Sequence, residues 1–172
     1  MAGVRRVVDY PYPPEDVWAA LTDRRALAEW LMPNDFAPEV GHRFRFQTDP
    51  NPICGTGITE CEVLELEAPT RMVWSWQHTP PPGRPKPPLT TVTWSLARSV
   101  DGGTRLTLQH DGFSGFRMWL LSVVMARGWG MFLRRTLPRA AAHVRDGSFT
   151  PGAIPLAERL VQTRTVPEHL TR

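Results

Sequence analysis

The stretch TTVTWSLARSVDGGTRLTLQHDGF, residues 90–113, decides the fold. Val92, Trp94 and Leu96 alternate with polar residues; Asp101, Gly102 and Gly103 interrupt; then Leu106, Leu108 and His110 alternate with Arg105, Thr107 and Gln109. A period of two gives a strand with one apolar and one polar face, and a short Asp/Gly connection joins two such strands into an antiparallel hairpin. The same period recurs upstream. HRFRFQT (42–48) puts Phe44 and Phe46 on one face, and RMVWSWQH (71–78) does so with Met72, Trp74 and Trp76. GITECEVLELE (57–67) is a longer strand of ambiguous register: Ile58, Leu64 and Leu66 argue for one face, Cys61 and Val63 for the other, and a bulge would reconcile them. APT (68–70) is a second hairpin-length turn, and GVRRVVD (3–9) is a first, short strand. TPPPGRPKPPL (79–89) reads as a stiff hairpin insertion rather than a polyproline ligand for a partner.

Helices flank these strands. In PYPPEDVWAAL, Pro13 or Pro14 opens a helix with Glu15 and Asp16 in its first turn, and Val17, Trp18 and Leu21 form its apolar stripe. TDRRALAEWL predicts a second helix capped by Thr22 or Asp23, with Ala26, Leu27, Trp30 and Leu31 inward. A long helix is predicted over about residues 118–146. Met125, Trp129, Phe132, Leu133, Thr136, Leu137, Ala140 and Val144 take one face, and Arg127, Arg134 and Arg145 take the other. Pro138 should kink or break it, and Gly147 is placed to cap its C-terminus. Strand, two short helices, five strands and a long helix define an α+β fold, a six-stranded antiparallel sheet curling round one helix.

The chain has 172 residues and a formal charge of +3, with 41% hydrophobic and 22% charged residues, which suits one soluble domain. Arginines supply all but one of the basic residues, Lys86 being the exception, and they are scattered, so no nucleic-acid partner is expected. No apolar run approaches the roughly 18 residues of a membrane span, and the N-terminus lacks the apolar core of a signal peptide. Two cysteines, Cys54 and Cys61, are too few for a disulfide framework. These features predict a cytoplasmic protein with no membrane partner.

YPPEDVWAALTDRRALAEWLMP, VGHRFRF, CEVLELEAPTRMVWSW, TTVTWSLARSVDGGTRLTLQHDGF and RGWGMFLRRTL, in that order over about residues 4–146, resemble the SRPBCC superfamily, the START-like, birch-pollen-allergen-like helix-grip fold. The branch resembled is the one named for the activator of the 90-kDa heat-shock protein ATPase. The resemblance implies a hydrophobic cavity between the concave sheet and the C-terminal helix. It implies no activity, because relatives include ligand carriers, aromatase/cyclases and co-chaperones, and the branch offers no shared catalytic set. Direct ATPase activation is not expected, since this chain has no room for the additional N-terminal chaperone-binding domain of the eukaryotic activators. Residues 1–147 are assigned to a single helix-grip domain and 148–172 to a C-terminal extension. That tail either stays mobile or docks Ile154, Leu156, Leu160 and Val161 on the sheet, the cavity mouth or a second subunit, which makes a homodimer one expected state. Docking is favoured, because those side chains would otherwise sit in water.

Phe44, Phe46, Trp74, Trp76, Trp94, His110, Trp129 and Phe132 are the expected ligand-binding residues, with core packing as the alternative for the aromatic ones; Trp30 is assigned to the core. His110 shares the inner face with Leu106 and Leu108, and Asp111 points the other way, so the two form no dyad. His110 could exchange a proton near neutral pH or be a satisfied core histidine. Glu60 or Glu62 would be an acid or base if it faced the cavity; the solvated outer face is the alternative. A small hydrophobic ligand, aromatic or lipid-like, is therefore expected. The alternatives are a polyketide cyclase/aromatase-like enzyme using His110 or Glu60, and a chaperone-associated interaction protein. The histidines lie far apart and the cysteines form no CxxC, and no nucleophile elbow, P-loop or dinucleotide fingerprint occurs, so neither metal nor cofactor is expected. Cys54 as a nucleophile would need a base that the sequence does not identify.

Overall fold

The computed structural model describes residues 2–52 and 55–171, so Cys54 lies outside the described residues. The elements are β1 (Ala2–Tyr10), α1 (Pro14–Thr22), α2 (Arg24–Trp30), β2 (Arg43–Gln47), β3 (Ile58–Glu67), β4 (Arg71–His78), β5 (Thr90–Arg98), β6 (Thr104–Phe113), α3 (Phe116–Met131), α4 (Leu137–Ala142) and a two-rung hairpin of β7 (Val144–Arg145) and β8 (Ser148–Phe149). The first six strands form one antiparallel sheet in the order β1-β6-β5-β4-β3-β2. The fold is α+β, with α3 and α4 gripped against the concave face.

Parity along the strands assigns the core. Val92, Trp94 and Leu96 of β5 and Leu106, Leu108 and His110 of β6 are all buried, while Arg105 and Gln109 are exposed. The ambiguous strand β3 carries a bulge. Its register against β4 shifts between Val63 and Glu65, so Thr59, Cys61 and Val63 point inward before the bulge, and Leu66 packs on the core after it. Cys61 is a free thiol, its pKa pushed well up by burial.

Asp23 caps α2 by accepting from the Arg25 and Ala26 amides, and beneath it Val17, Leu21, Leu27 and Trp30 are fully buried. Trp30 donates its indole N–H to the Ala20 carbonyl at 2.9 Å and is a core residue.

The long helix is neither continuous nor as long as its pattern suggests. Between α3 and α4 the chain makes one π-helical turn, Phe132–Thr136. Pro138 has no N–H to give the carbonyl four residues back, and its ring crowds that carbonyl; a wider turn relieves both. The Tyr10 hydroxyl donates to the Leu133 carbonyl, and the single Thr136 hydroxyl proton goes to the Trp30 carbonyl at 2.7 Å, with the Phe132 carbonyl farther off at 3.1 Å, so the turn is tied to β1 and to α2.

Gly147 does not cap the helix. α4 ends at Ala142, and Asp146 and Gly147, at φ 51° and 72°, turn the β7–β8 hairpin instead. β6 continues past Gly112. It runs on to a buried Phe113, with Gly112 at φ 102°, where a β-carbon would meet the Leu89 carbonyl at 3.2 Å.

The tail docks, partly through the side chains expected and partly through others. Ile154, one of the expected set, and Leu170, outside it, are buried; Val161 is half-buried, and Leu156 is exposed at 66% but Leu160 at only 37%. The Glu29 carboxylate, on the inner side of α2, accepts the amides of Gly152 and Ile154 at 2.7 and 2.9 Å. Asp49, in the loop before β3, accepts the amides of Arg164 and Thr165 and the Thr165 hydroxyl. The segment LAERLVQ forms only a 3-10 turn, Leu156–Glu158.

Candidate functional site

Two strand faces converge with α3 on one cleft of about 510 Å³. Trp76 and His78 reach it from β4 and Thr59 from β3; Val124, Met125, Gly128, Trp129 and Met131 reach it from α3, and Phe132 from the π turn. Leu31 and Met32, just past α2, close one end. The loop Thr48–Asn51 and the tail residues Leu160, Val161 and Gln162 form the rim. The wall is mostly apolar, which suits an apolar guest.

Of the eight residues expected to line a pocket, Trp76, Trp129 and Phe132 line this cleft. Phe44, Phe46, Trp74 and Trp94 do not, and here the expectation is corrected. All four are buried, within a ring-against-ring cluster: Trp74 lies 5.3 Å from Trp94, 5.6 Å from Phe44 and 5.7 Å from Phe36 between centroids. Parity places them inward correctly, but Phe36 and Trp30 fill the space opposite them.

His110 sits behind the cleft, beside a small void that also touches Trp76, His78, Pro87, Pro88 and Met118. Its hydrogen bonds fix its tautomer. Thr90 Oγ1 donates to the Trp76 carbonyl at 2.8 Å, so at 2.9 Å from His110 Nε2 it must accept. His110 Nδ1 then accepts the Trp129 indole N–H at 3.2 Å. The ring is thus neutral, with its one proton on Nε2. Burial, with His78 nearby as a lesser cause, pushes its pKa down to about 3. A proton on Nδ1 would face the Trp129 donor. Of the two readings of His110, the satisfied core histidine is the one the structure shows: it is a positioned hydrogen-bond bridge that ties the α3 indole to the sheet.

Glu60 and Glu62 face outward, paired with Lys86 and Arg43 at 2.8 and 3.2 Å on the solvated side of β3. The bulge beyond Val63 makes the apolar pattern look two-sided; ahead of it, Cys61 and Val63 set the register. Glu60 is therefore not a cavity acid.

The residue missed is His78. It continues the Met72, Trp74, Trp76 parity by one more step, so the signal was present in β4. Its Nδ1 lies 2.9 Å from Thr59 Oγ1, burial lowers its pKa, and its Nε2 and the Trp76 indole N–H have no partner among the described residues. Thr59 can donate or accept here, so the far side of the His78 ring can present either a donor or an acceptor. No group of three or more His, Cys, Asp or Glu residues close enough to hold a metal occurs among the described residues.

A cleft between a curved antiparallel sheet and a C-terminal helix defines a helix-grip domain. Residues 11–141 match the family model described as activator of Hsp90 ATPase homolog 1-like protein, and the chain belongs to that family. The solved structure of protein MLL2253 from Mesorhizobium loti is similar at 30% identity and TM-score 0.66, over 79% of this chain and 94% of that one. DynU16, described as a protein in the dynemicin biosynthetic locus, is similar at 24% identity and TM-score 0.65, over 87% of this chain but 50% of that one. The Aha1 dimer from Colwellia psychrerythraea shares the fold at 20% identity and TM-score 0.60, over 77% of this chain and 91% of that one. No curated protein matches. No helix among the described residues is long and apolar enough to cross a membrane.

Proposed function

We propose that this chain binds a small, largely apolar molecule with an aromatic or lipid-like body in the cleft between β4 and α3. The observation that carries the reading is the wall itself: Trp76, Trp129, Phe132, Met125, Leu31 and Val161 surround about 510 Å³ of space. That volume is of the size small-molecule sites use, and flat rings offer stacking and edge contacts to another ring. A fold-mate from a biosynthetic locus agrees with a small-molecule guest. Binding without chemistry is favoured over the cyclase-like alternative. Catalysis there would need ionisable groups converging on one point. Of the ionisable groups on the wall, His78 has its pKa lowered by burial, Asp49 already serves three donors of the tail, and the Arg127 guanidinium is a donor only and offers no base.

Gly128 supplies the test. It lines the cleft from α3, and an added β-carbon there meets nothing within 4 Å. Gly128→Phe should therefore fill the cleft and leave the fold intact. Calorimetric titration with 2-naphthol should show binding to the natural chain and none to this variant. Equal binding to both folded proteins would overturn the reading.

A second reading concerns a homodimer. Phe116, Trp119, Leu120 and Val123 leave an apolar face of α3 exposed, Phe116 at 74%. A dimeric fold-mate supports a second copy as its cover. Light scattering should give twice the chain mass for the natural protein and the monomer mass for Leu120→Arg; a monomer in both removes this reading.

A further inference from the structure

We propose that the cleft continues into an anion-binding groove, so that its guest is an amphiphile: an apolar body ending in a carboxylate or phosphate. This rests on the cleft reading and adds the chemistry of one end of the ligand. Arg6, Arg127, Arg134 and Arg135 surround a second concavity of about 380 Å³, floored by Ala126, Gly130 and Met131. Arg127 and Met131 also line the apolar cleft, so that pair borders both spaces.

The charge there is uncompensated. Residues 116–142 hold five arginines and no Asp or Glu. Among the described residues, none of Arg6, Arg127, Arg134 and Arg135 has a carboxylate partner, whereas nine other cations do. The groove is also built. Arg6 is fixed by two bonds from Nε and Nη2 to the Ala126 carbonyl, at 3.2 and 2.9 Å, and by a third from Nη1 to the Arg5 carbonyl. Arg127 on α3 and Arg134 on the π turn both border this concavity. Between them Gly130 has no side chain, and a β-carbon there would find only Arg6 Nε, at 3.7 Å. Guanidinium forks on an acid-free surface select carboxylate or phosphate oxygens, and beside an apolar wall they select them on an apolar body.

The test compares three matched probes, 2-naphthol, 2-naphthoate and 2-naphthyl phosphate, with inorganic phosphate as a fourth, by calorimetry at low salt. The two anionic naphthalenes should bind about tenfold or more tighter than 2-naphthol. That preference should shrink towards unity in Arg127→Gln with Arg134→Gln, and in the natural chain at high salt. It should persist in Arg43→Gln, on the far face of the sheet. Gly128→Phe should abolish binding of all three naphthalenes. If 2-naphthol binds as well as the anions, the groove is overturned and the cleft stands; if no naphthalene binds, both fall. Inorganic phosphate binding as tightly as 2-naphthyl phosphate would make the groove a free-anion site and overturn the joint one. So would tight association with phosphatidylglycerol vesicles unchanged by Gly128→Phe, since the arginines would then meet a bilayer surface instead.

Discussion

Trp74 and Trp76 lie two residues apart on one strand and point to the same side of the sheet, yet they do different things. Trp74 is sealed among Trp94, Phe44, Phe46 and Phe36, where every face of its ring meets another side chain. Trp76 meets Phe46 and Trp129 on some sides and the cleft on another. The difference comes from across the core. Opposite Trp74, the chain entering β2 inserts Phe36. Opposite Trp76, α3 presents Gly128 and the flexible Met125, and the cleft opens there. One end of the inner face is thus built for stability and the other for occupancy.

That division should be visible in stability. Trp74→Ala should cost about 3–5 kcal/mol, the range for emptying a packed aromatic site, whereas Phe132→Ala, on the wall of a cleft, should cost about 1–2 kcal/mol. Urea unfolding midpoints of the two variants check this. Equal losses would mean that the cleft end is packed as firmly as the core. Deleting residues 148–172 should cost about 3 kcal/mol, because it uncovers the sites of Ile154 and Leu170 and leaves the Glu29 carboxylate buried without the two amides it accepts. A truncated chain melting with the intact one would show that the tail adds nothing.

A pH titration addresses the bridge between the two ends. The fold holds the His110 pKa at about 3, against 6.5 for a solvated imidazole, so the unfolded chain takes up the proton first as pH falls. The stabilisation is complete above about pH 6.5 and is lost progressively on the way down to about pH 3, by about 2–3 kcal/mol at pH 4.5. Denaturant midpoints at neutral and acid pH, in the natural chain and in His110→Gln, separate this contribution from that of the carboxylates. An unchanged slope in the variant would remove His110 from the account. The smallest effect is expected at Gly128→Ala. The added methyl meets open space in a helix, so the variant should gain about 0.5–1 kcal/mol.

The fold was legible because each strand carries its period in a few residues, and Asp101–Gly103 and Ala68–Thr70 mark the turns between them. Parity tells which face a side chain takes, but not how deep it lies or what opposes it. Phe44, Phe46, Trp74 and Trp94 therefore read like Trp76 in sequence, although only Trp76 reaches the cleft. The β3 bulge could not be placed, because Leu64 and Val63 are equally apolar. That the tail docks was readable from Ile154 and its apolar neighbours, but where it docks was hidden, because polar groups carry those contacts. Glu29 on the inward side of α2 was the available sign, a carboxylate where the stripe calls for an apolar residue. The cleft rim was hidden too, since Asp49 meets Thr165 only through the folded tail.

The most direct test of a division between a packed end and an open end is to follow the tryptophan indole N–H resonances of the ¹⁵N-labelled protein while 2-naphthol is added. With such a division, Trp76 and Trp129 shift progressively to saturation, while Trp74 and Trp94, one layer away, stay in place. Shifts of Trp74 and Trp94 as large as those of Trp76 and Trp129, or no shift at any of the four, would contradict it.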